Sequence, residues 1–228
     1  MSTITPEQFA YYHENRSILI NEYLADFPKR VDPDAVRDLF IPSGYDRSNV
    51  SEYQEICKLL TEDIYFEALI RNKLSKKLIF AAGLPGSGKS THLAQMMKDE
   101  LVYDGTLNDD DKFIDYIEKA LTLGYKVEVF VYSVEPSVAF ERNLERGDDM
   151  KRYVPISHYE KVAATLNRRQ KLLADKFQSR VSFRNFEHTN FEGKQVEFVP
   201  IKIDRDELER IANNHEFRNH KNLHSVLR

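Results

Sequence analysis

The chain has 228 residues, enough for one large domain or one domain with an appendage, and its 41% apolar content is enough to fill a core. A formal charge of −4, from 33 basic and 37 acidic side chains, argues against a surface built for long nucleic-acid tracts, so nucleic acid is not an expected partner. A single cysteine, Cys57, excludes an internal disulfide and a multi-cysteine zinc site, and no apolar stretch approaches the ~20 residues of a membrane span. The opening M-S-T-I-T-P-E-Q-F lacks the order of a signal peptide, so a cytoplasmic protein with no membrane partner is expected.

In chain order, Thr5-Pro6-Glu7-Gln8 opens a helix: Thr5 is the N-cap, Pro6 sits in the first turn, and Gln8 returns toward the cap. Phe9, Tyr12, Ile18, Leu19, Tyr23 and Leu24 recur at helical spacing up to Phe27-Pro28, which makes residues 1–30 a helical appendage. Val31-Asp32-Pro33-Asp34-Ala35-Val36-Arg37 reads locally as another helix start. Asp32 is its N-cap, Pro33 its first residue, and Asp34 is favoured by the helix dipole. Residues 41–45 read as a loop, after which Asn49 or Ser48 starts a helix through Tyr53, Ile56, Leu60, Ile64 and Ile70.

The next stretch, K-L-I-F-A-A-G-L-P-G-S-G-K-S-T over residues 77–91, is the most informative in the chain. Leu78 to Ala82 form an apolar run of the kind buried on both faces of a sheet. Gly83, Gly88, Lys89 and Ser90 then fit the phosphate-binding pattern G-x-x-x-x-G-K-[ST], with Leu84, Pro85, Gly86 and Ser87 between them and Thr91 following. Glycines let backbone N–H groups curl around an anion, and the next helix adds partial positive charge at its N-terminus. Lys89 is expected to reach the β and γ phosphates of ATP or GTP, and Ser90 to hold Mg²⁺.

Residues 101–106 form a short strand ending in Asp104-Gly105-Thr106. Asp104 and Thr106 either line an acceptor or the outer shell of a metal, or make an ordinary turn. Asn108 opens a helix stopped by Gly124, and Val127 to Tyr132 make a clear strand at the spacing of an α/β unit. A helix after Glu135-Pro136-Ser137 brings Arg142 and Arg146 onto one face; Gly147 breaks it, and Ser157-His158-Tyr159-Glu160 reads as a capping box for the next. Within residues 137–160, Arg142, Arg146 and Arg152 read either as a glycine-hinged lid over transferring phosphate or as a solvated basic face. A helix to about Phe177, strands over 181–186 and 196–199, and a final helix with a polar tail over 205–228 complete the chain. His215, His220 and His224 have metal-like spacing but lie in a polar segment without supporting carboxylates, so no metal site is expected there.

Four pieces together resemble the zeta-toxin family of P-loop kinases: A-A-G-L-P-G-S-G-K-S-T, V-D-P-D-A-V-R-D-L, Y-D-G-T-L and E-R-N-L-E-R-G-D-D-M-K-R-Y-V-P, spread across residues 31–155. The first is generic to NTPases; the other three point to the family. The resemblance implies transfer of the γ-phosphate to a small hydroxyl acceptor, UDP-N-acetylglucosamine in the best-known members. It makes Asp34 the base on that hydroxyl and Arg37 the basic position after it. Arg146 and Arg152 become the lid arginines, with Arg142 as a substitute, and an antitoxin-type partner enters as a family association. His158 lies one place off the family's lid histidine and receives no role.

The order departs from the family's: there the acid-bearing segment lies between the P-loop helix and the D-G-T strand, whereas here it precedes the P-loop. The chain therefore reads as internally permuted. In the fold class that the resemblance implies, the D-G-T strand lies between the acid strand and the P-loop strand, and with that order each right-handed crossover still keeps its helix on the same face of the sheet. The expected fold is one P-loop kinase-like domain over 1–228, three-layer α/β/α, with a mostly parallel sheet, permuted connectivity and an added N-terminal helix. The expected function is a phosphotransferase on a small hydroxyl acceptor; the alternatives are a polynucleotide 5′-hydroxyl kinase and a non-catalytic nucleotide-binding module.

Overall fold

The computed structural model describes residues 3–46, 48–72, 75–96, 99–105, 110–150, 153–187, 194–196 and 199–219. Thr106, Asn108, Arg152, His220 and His224 lie outside the described residues. In chain order the elements are α1 (Pro6–Asp26), β1 (Arg30–Val31), α2 (Pro33–Asp38), α3 (Val50–Arg71), β2 (Lys77–Gly83), α4 (Lys89–Met96) and β3 (Leu101–Asp104). There follow α5 (Asp110–Thr122), β4 (Lys126–Ser133), α6 (Pro136–Met150), α7 (Ile156–Phe177), β5 (Val181–Glu187), β6 (Lys194–Val196) and α8 (Arg205–Asn219). The fold is α/β, with one six-stranded sheet in the order β1-β3-β2-β4-β5-β6. The D-G strand β3 thus lies between the acid strand β1 and the P-loop strand β2, the order that the family resemblance implies. β1 and β3 run parallel, as do β4 and β5, while β6 returns antiparallel to β5.

The chain divides into two compact units. The first holds residues 1–80, 98–105 and 119–126. Its helix α1 begins in a full capping box: Gln8 N donates to Thr5 Oγ1 at 3.2 Å and Thr5 N to Gln8 Oε1 at 3.1 Å. α1 packs on α3, where Arg16 holds both oxygens of Asp63 and Tyr12 donates to the same carboxylate. Leu19, Ile20, Tyr23 and Leu24 supply the buried face of α1. Residues 41–45, expected to be a loop, contain one turn of 3₁₀ helix over Ile41–Ser43 that closes on Gly44.

The second unit holds residues 81–97, 106–118 and 127–228. β4 is buried along Val127 to Tyr132 and pairs with β5 from Val127↔Val181 to Ser133↔Glu187. Two expectations fail here. Gly147 does not break a helix: α6 runs through it to Met150, and Gly147 is buried. A glycine inside a helix costs only about 1 kcal/mol against alanine, less than packing returns to a face that already buries Ala139, Phe140, Asn143 and Leu144. Nor does Ser157 open α7 with a capping box. The helix starts at Ile156, two residues earlier than a Ser157 cap would place it, with Pro155 as the N-cap and no side-chain cap bond; His158 N donates to Pro155 O at 3.0 Å. Asp204 does cap α8, accepting from Glu207 N at 3.1 Å. Among the described residues no helix is long and apolar enough to cross a membrane.

Candidate active site

The phosphate loop lies in the second unit and is shaped by close packing. A Cβ on Gly83 would meet Ser87 Oγ at 2.8 Å and Tyr132 O at 2.9 Å, so only glycine lets the end of β2 lie this close to β4. Gly86 and Gly88 have φ of +78° and +82°, a left-handed conformation that turns successive N–H groups toward one side of the loop. Gly86 is also pressed against α6: a Cβ there would lie 2.1 Å from Ala139 O. Tyr159, fully buried at the start of α7, donates to Pro85 O at 3.0 Å, with Ala139 O at 3.4 Å. Burial pushes its phenol well above the usual tyrosine range, so the hydroxyl stays a donor.

Lys89 opens α4 and its Nζ donates to Gly83 O at 3.3 Å, folding the ammonium across the loop. Ser90 and Thr91 follow, both exposed, in the first turn of α4, where a helix directs its N–H groups outward along its axis. His92 is buried and bonds Tyr132 Oη through Nδ1 at 2.9 Å, with Phe186 packed on its ring at 4.9 Å. Tyr132 therefore supports both Gly83 and α4. Ser87 Oγ is buried without a hydrogen-bond partner among the described residues. A cradle of glycines, an orphaned hydroxyl and a lysine at a helix N-terminus fit a polyphosphate, and the Ser90 hydroxyl is of the type that binds Mg²⁺.

The acid segment lies in the first unit. The register Arg30↔Val102 and Val31↔Tyr103 brings Asp32 beside Asp104 at the carboxyl ends of adjacent parallel strands, where open α/β sheets bind ligands. Arg30 bridges the two: its Nη2 lies 3.0 Å from Asp32 Oδ2 and 2.6 Å from Asp104 Oδ2. Asp104 is buried, whereas Asp32 keeps a partly open side chain whose Oδ1 caps α2 by accepting from Asp34 N at 2.9 Å. Tyr23 Oη accepts from Asp32 N at 2.7 Å. Desolvation, then the Asp104 charge, raise the Asp32 carboxyl above its ordinary range, and Arg30 offsets part of this. Asp34 is 65% exposed at the start of α2 and ion-paired to Arg37, which is mostly buried.

Of the expected site residues, the structure pairs Asp34 with Arg37, joins Asp104 to Arg30 and Asp32, and gathers residues 83–91 into one loop. Arg142 is half-buried and Arg146 exposed on α6; Thr106 and Arg152 lie outside the described residues. Sequence reasoning overlooked Arg30, saw Asp32 only as a cap, and gave Tyr159 and Asn143 no part. Arg30 could have been found from its place at the start of a strand leading into two acids.

The Zeta toxin family model matches residues 91–191. The match starts directly after Ser90 and covers Asp104, Arg142, Arg146 and Arg152, while Asp34 and Arg37 lie outside it. No curated protein matches the chain. Among solved structures, the chain is similar to one from the PezAT chromosomal toxin–antitoxin system of the human pathogen Streptococcus pneumoniae. The two are 11% identical with a TM-score of 0.51, over 99% of this chain and 98% of that one. At such low identity the likeness is one of fold.

Proposed function

We propose that this member of the zeta toxin family of P-loop kinases moves the γ-phosphate of ATP or GTP to a hydroxyl of a small acceptor. By the family resemblance, a nucleotide sugar such as UDP-N-acetylglucosamine is the first acceptor to test. What supports this most is the loop itself: left-handed Gly86 and Gly88, Lys89 at the head of α4, and a Ser87 hydroxyl with no partner among the described residues.

In this reading the loop N–H groups and Lys89 bind the β and γ phosphates and fix their orientation. Ser90 would hold Mg²⁺, which neutralises phosphate charge when bound. Asp34 takes the proton from the acceptor hydroxyl as its oxygen attacks the γ-phosphorus. The bond from that phosphorus to the β–γ bridging oxygen breaks and the nucleoside diphosphate leaves, while the Arg37 ion pair orients the Asp34 carboxylate. Arg146 and Arg152, with Arg142 in support, stabilise the charge on the transferring group, and Asp104 and Thr106 line the acceptor side. The assignment of Asp34 belongs to the proposal, since the family match begins at Thr91. An antitoxin-type protein partner is proposed on the likeness to a chain of the PezAT toxin–antitoxin system.

The test incubates the protein with γ-labelled ATP or GTP and Mg²⁺ against nucleotide sugars, nucleosides and oligonucleotides, with Lys89→Ala as the control. Label on a nucleotide sugar, lost in Lys89→Ala and in Asp34→Ala while Asp34→Ala still binds nucleotide, supports the reading. Transfer to oligonucleotide ends alone replaces it with a polynucleotide kinase. Nucleotide binding without transfer to any acceptor replaces it with a binding module.

A further inference from the structure

The face of α6 that meets the phosphate loop carries one polar side chain that the reaction as described leaves unused. Ala139, Asn143 and Arg146 follow one another at i, i+4 and i+7, so they share a face of the helix. That face is located by Gly86. A Cβ built on Gly86 would lie 2.1 Å from Ala139 O and 3.4 Å from Asn143 N, which seats the crest of the loop on the Ala139–Asn143 turn.

Asn143 is only 6% exposed, and its Nδ2 is buried with no hydrogen-bond partner among the described residues. A buried amide donor without an acceptor is costly and uncommon in a folded protein, and it calls for a physical reason. The neighbourhood also contains two hydroxyls in the same condition: Ser87 Oγ inside the loop, and Ser133 Oγ one residue beyond Tyr132, against which Gly83 packs. The Asn143 amide and the Ser87 hydroxyl can each donate to an anion, which would supply the partner that both lack among the described residues.

We propose that Asn143 is a nucleotide-contacting residue whose carboxamide donates to a phosphate oxygen of the bound triphosphate. This rests on the reading of the loop as a triphosphate site. The contact between Gly86 and α6 contains no side chain from the loop. Moving the crest off the Ala139–Asn143 turn stretches the Tyr159 hydrogen bond to Pro85 O but displaces no side chain at Gly86, and in this proposal that opening admits a phosphate oxygen to the amide. Arg146, one turn further along the same face, carries the charge, while Asn143 supplies a neutral, directional donor.

The test titrates fluorescent ATP, ADP and adenosine analogues into the full chain and into Asn143→Leu, which keeps the number of side-chain heavy atoms, and Asn143→Asp, which is nearly the same size as asparagine. Thermal unfolding of each protein is followed alongside. Asn143→Leu is expected to keep or raise the unfolding midpoint, because it removes an unsatisfied amide. It is expected to weaken ATP and ADP about ten- to a hundredfold, the worth of one hydrogen bond to a charged acceptor, and to leave adenosine within about twofold. Asn143→Asp weakens ATP further still, since it sets a carboxylate against the phosphates; it carries the test alone if the leucine variant does not fold. ATP binding by both variants within about twofold of wild type overturns the proposal. Equal losses for adenosine and ATP, or a lowered midpoint with unchanged affinity, overturn it as well. Failure of the unaltered chain to bind any triphosphate instead overturns the phosphotransfer reading, and this inference with it.

Discussion

Arg30 reaches across from β1 to Asp104 at the end of β3, Nη2 to Oδ2 2.6 Å, although 74 residues separate them in the chain. The same nitrogen holds Asp32 at 3.0 Å. One guanidinium thus sits between two carboxylates whose strands place them side by side, and one of these carboxylates, Asp104, is buried. Without Arg30 the two acids would face each other with no cation between them.

Arg30→Met is therefore expected to destabilise the protein by about 1–3 kcal/mol at neutral pH, below the range for a fully buried pair because Arg30 is partly exposed. The double variant Arg30→Met/Asp104→Asn should recover part of that loss, since it removes the stranded charge along with its partner. Urea unfolding of the two single variants and the double variant measures the coupling; strict additivity would show that the bridge carries no energy.

Asp32 gives the acid limb of stability a definite sign. Its carboxyl is raised above the ordinary 3.8 by desolvation and then by Asp104, so the native state holds the proton more tightly than the unfolded chain does. The native state then binds more protons across the window from 3.8 up to the raised value, and stability contributed by Asp32 falls as pH rises through it. An asparagine at this position would still cap α2 and carries no charge. Asp32→Asn should accordingly match or exceed the wild type in thermal midpoint at pH 7 and lose that advantage below the ordinary carboxyl range. A variant less stable at pH 7 than at pH 4, relative to wild type, would reverse the sign.

These acids show how much the sequence could reveal. The P-loop, α1 with its capping box, and the buried strands were legible because each is set by local chemistry: glycine at fixed spacing, Thr5 answering Gln8, apolar runs of strand length. The place of β3 between β1 and β2 was legible only through the fold class that the family resemblance implies, since handedness decides which face a crossover helix takes and not the strand order. The Arg30 bridge was not, since it forms only once the register sets Arg30 opposite Val102. Gly147 misled for the opposite reason, as helix propensity is a local preference that the buried face of α6 overrides. Asn143 left no trace in the sequence, because a donor without a partner is a property of packing alone.

Gly86→Ala tests the loop crest. The residue stands at φ +78°, where an L side chain costs roughly 1–2 kcal/mol, and its Cβ would fall 2.1 Å from a backbone oxygen that cannot turn aside. The crest must move away from Ala139, so a stability loss of about 2 kcal/mol or more is expected, together with weaker nucleotide binding. Calorimetric unfolding and nucleotide titration check the two effects separately. A variant as stable as wild type would show that the crest does not rest on α6.

Tyr159 ties that crest to α7. Tyr159→Phe keeps the ring, which packs edge-on against Phe140 at 5.3 Å, and removes only the donor to Pro85 O. The expected cost is about 1–2 kcal/mol, the penalty for leaving a buried acceptor without its hydrogen bond. The sign of the alkaline effect follows from burial. Because the folded phenol holds its proton above the ordinary value of 10.0, the native state binds more protons than the unfolded chain above that pH. Wild-type stability should therefore fall as pH rises past 10, and Tyr159→Phe, which has no proton to lose there, should not share that part of the fall. The gap between the two proteins is constant from about pH 6 to 9 and narrows above it. A gap that widens above pH 10 would mean that the hydroxyl ionises in the folded protein and does not donate to the loop.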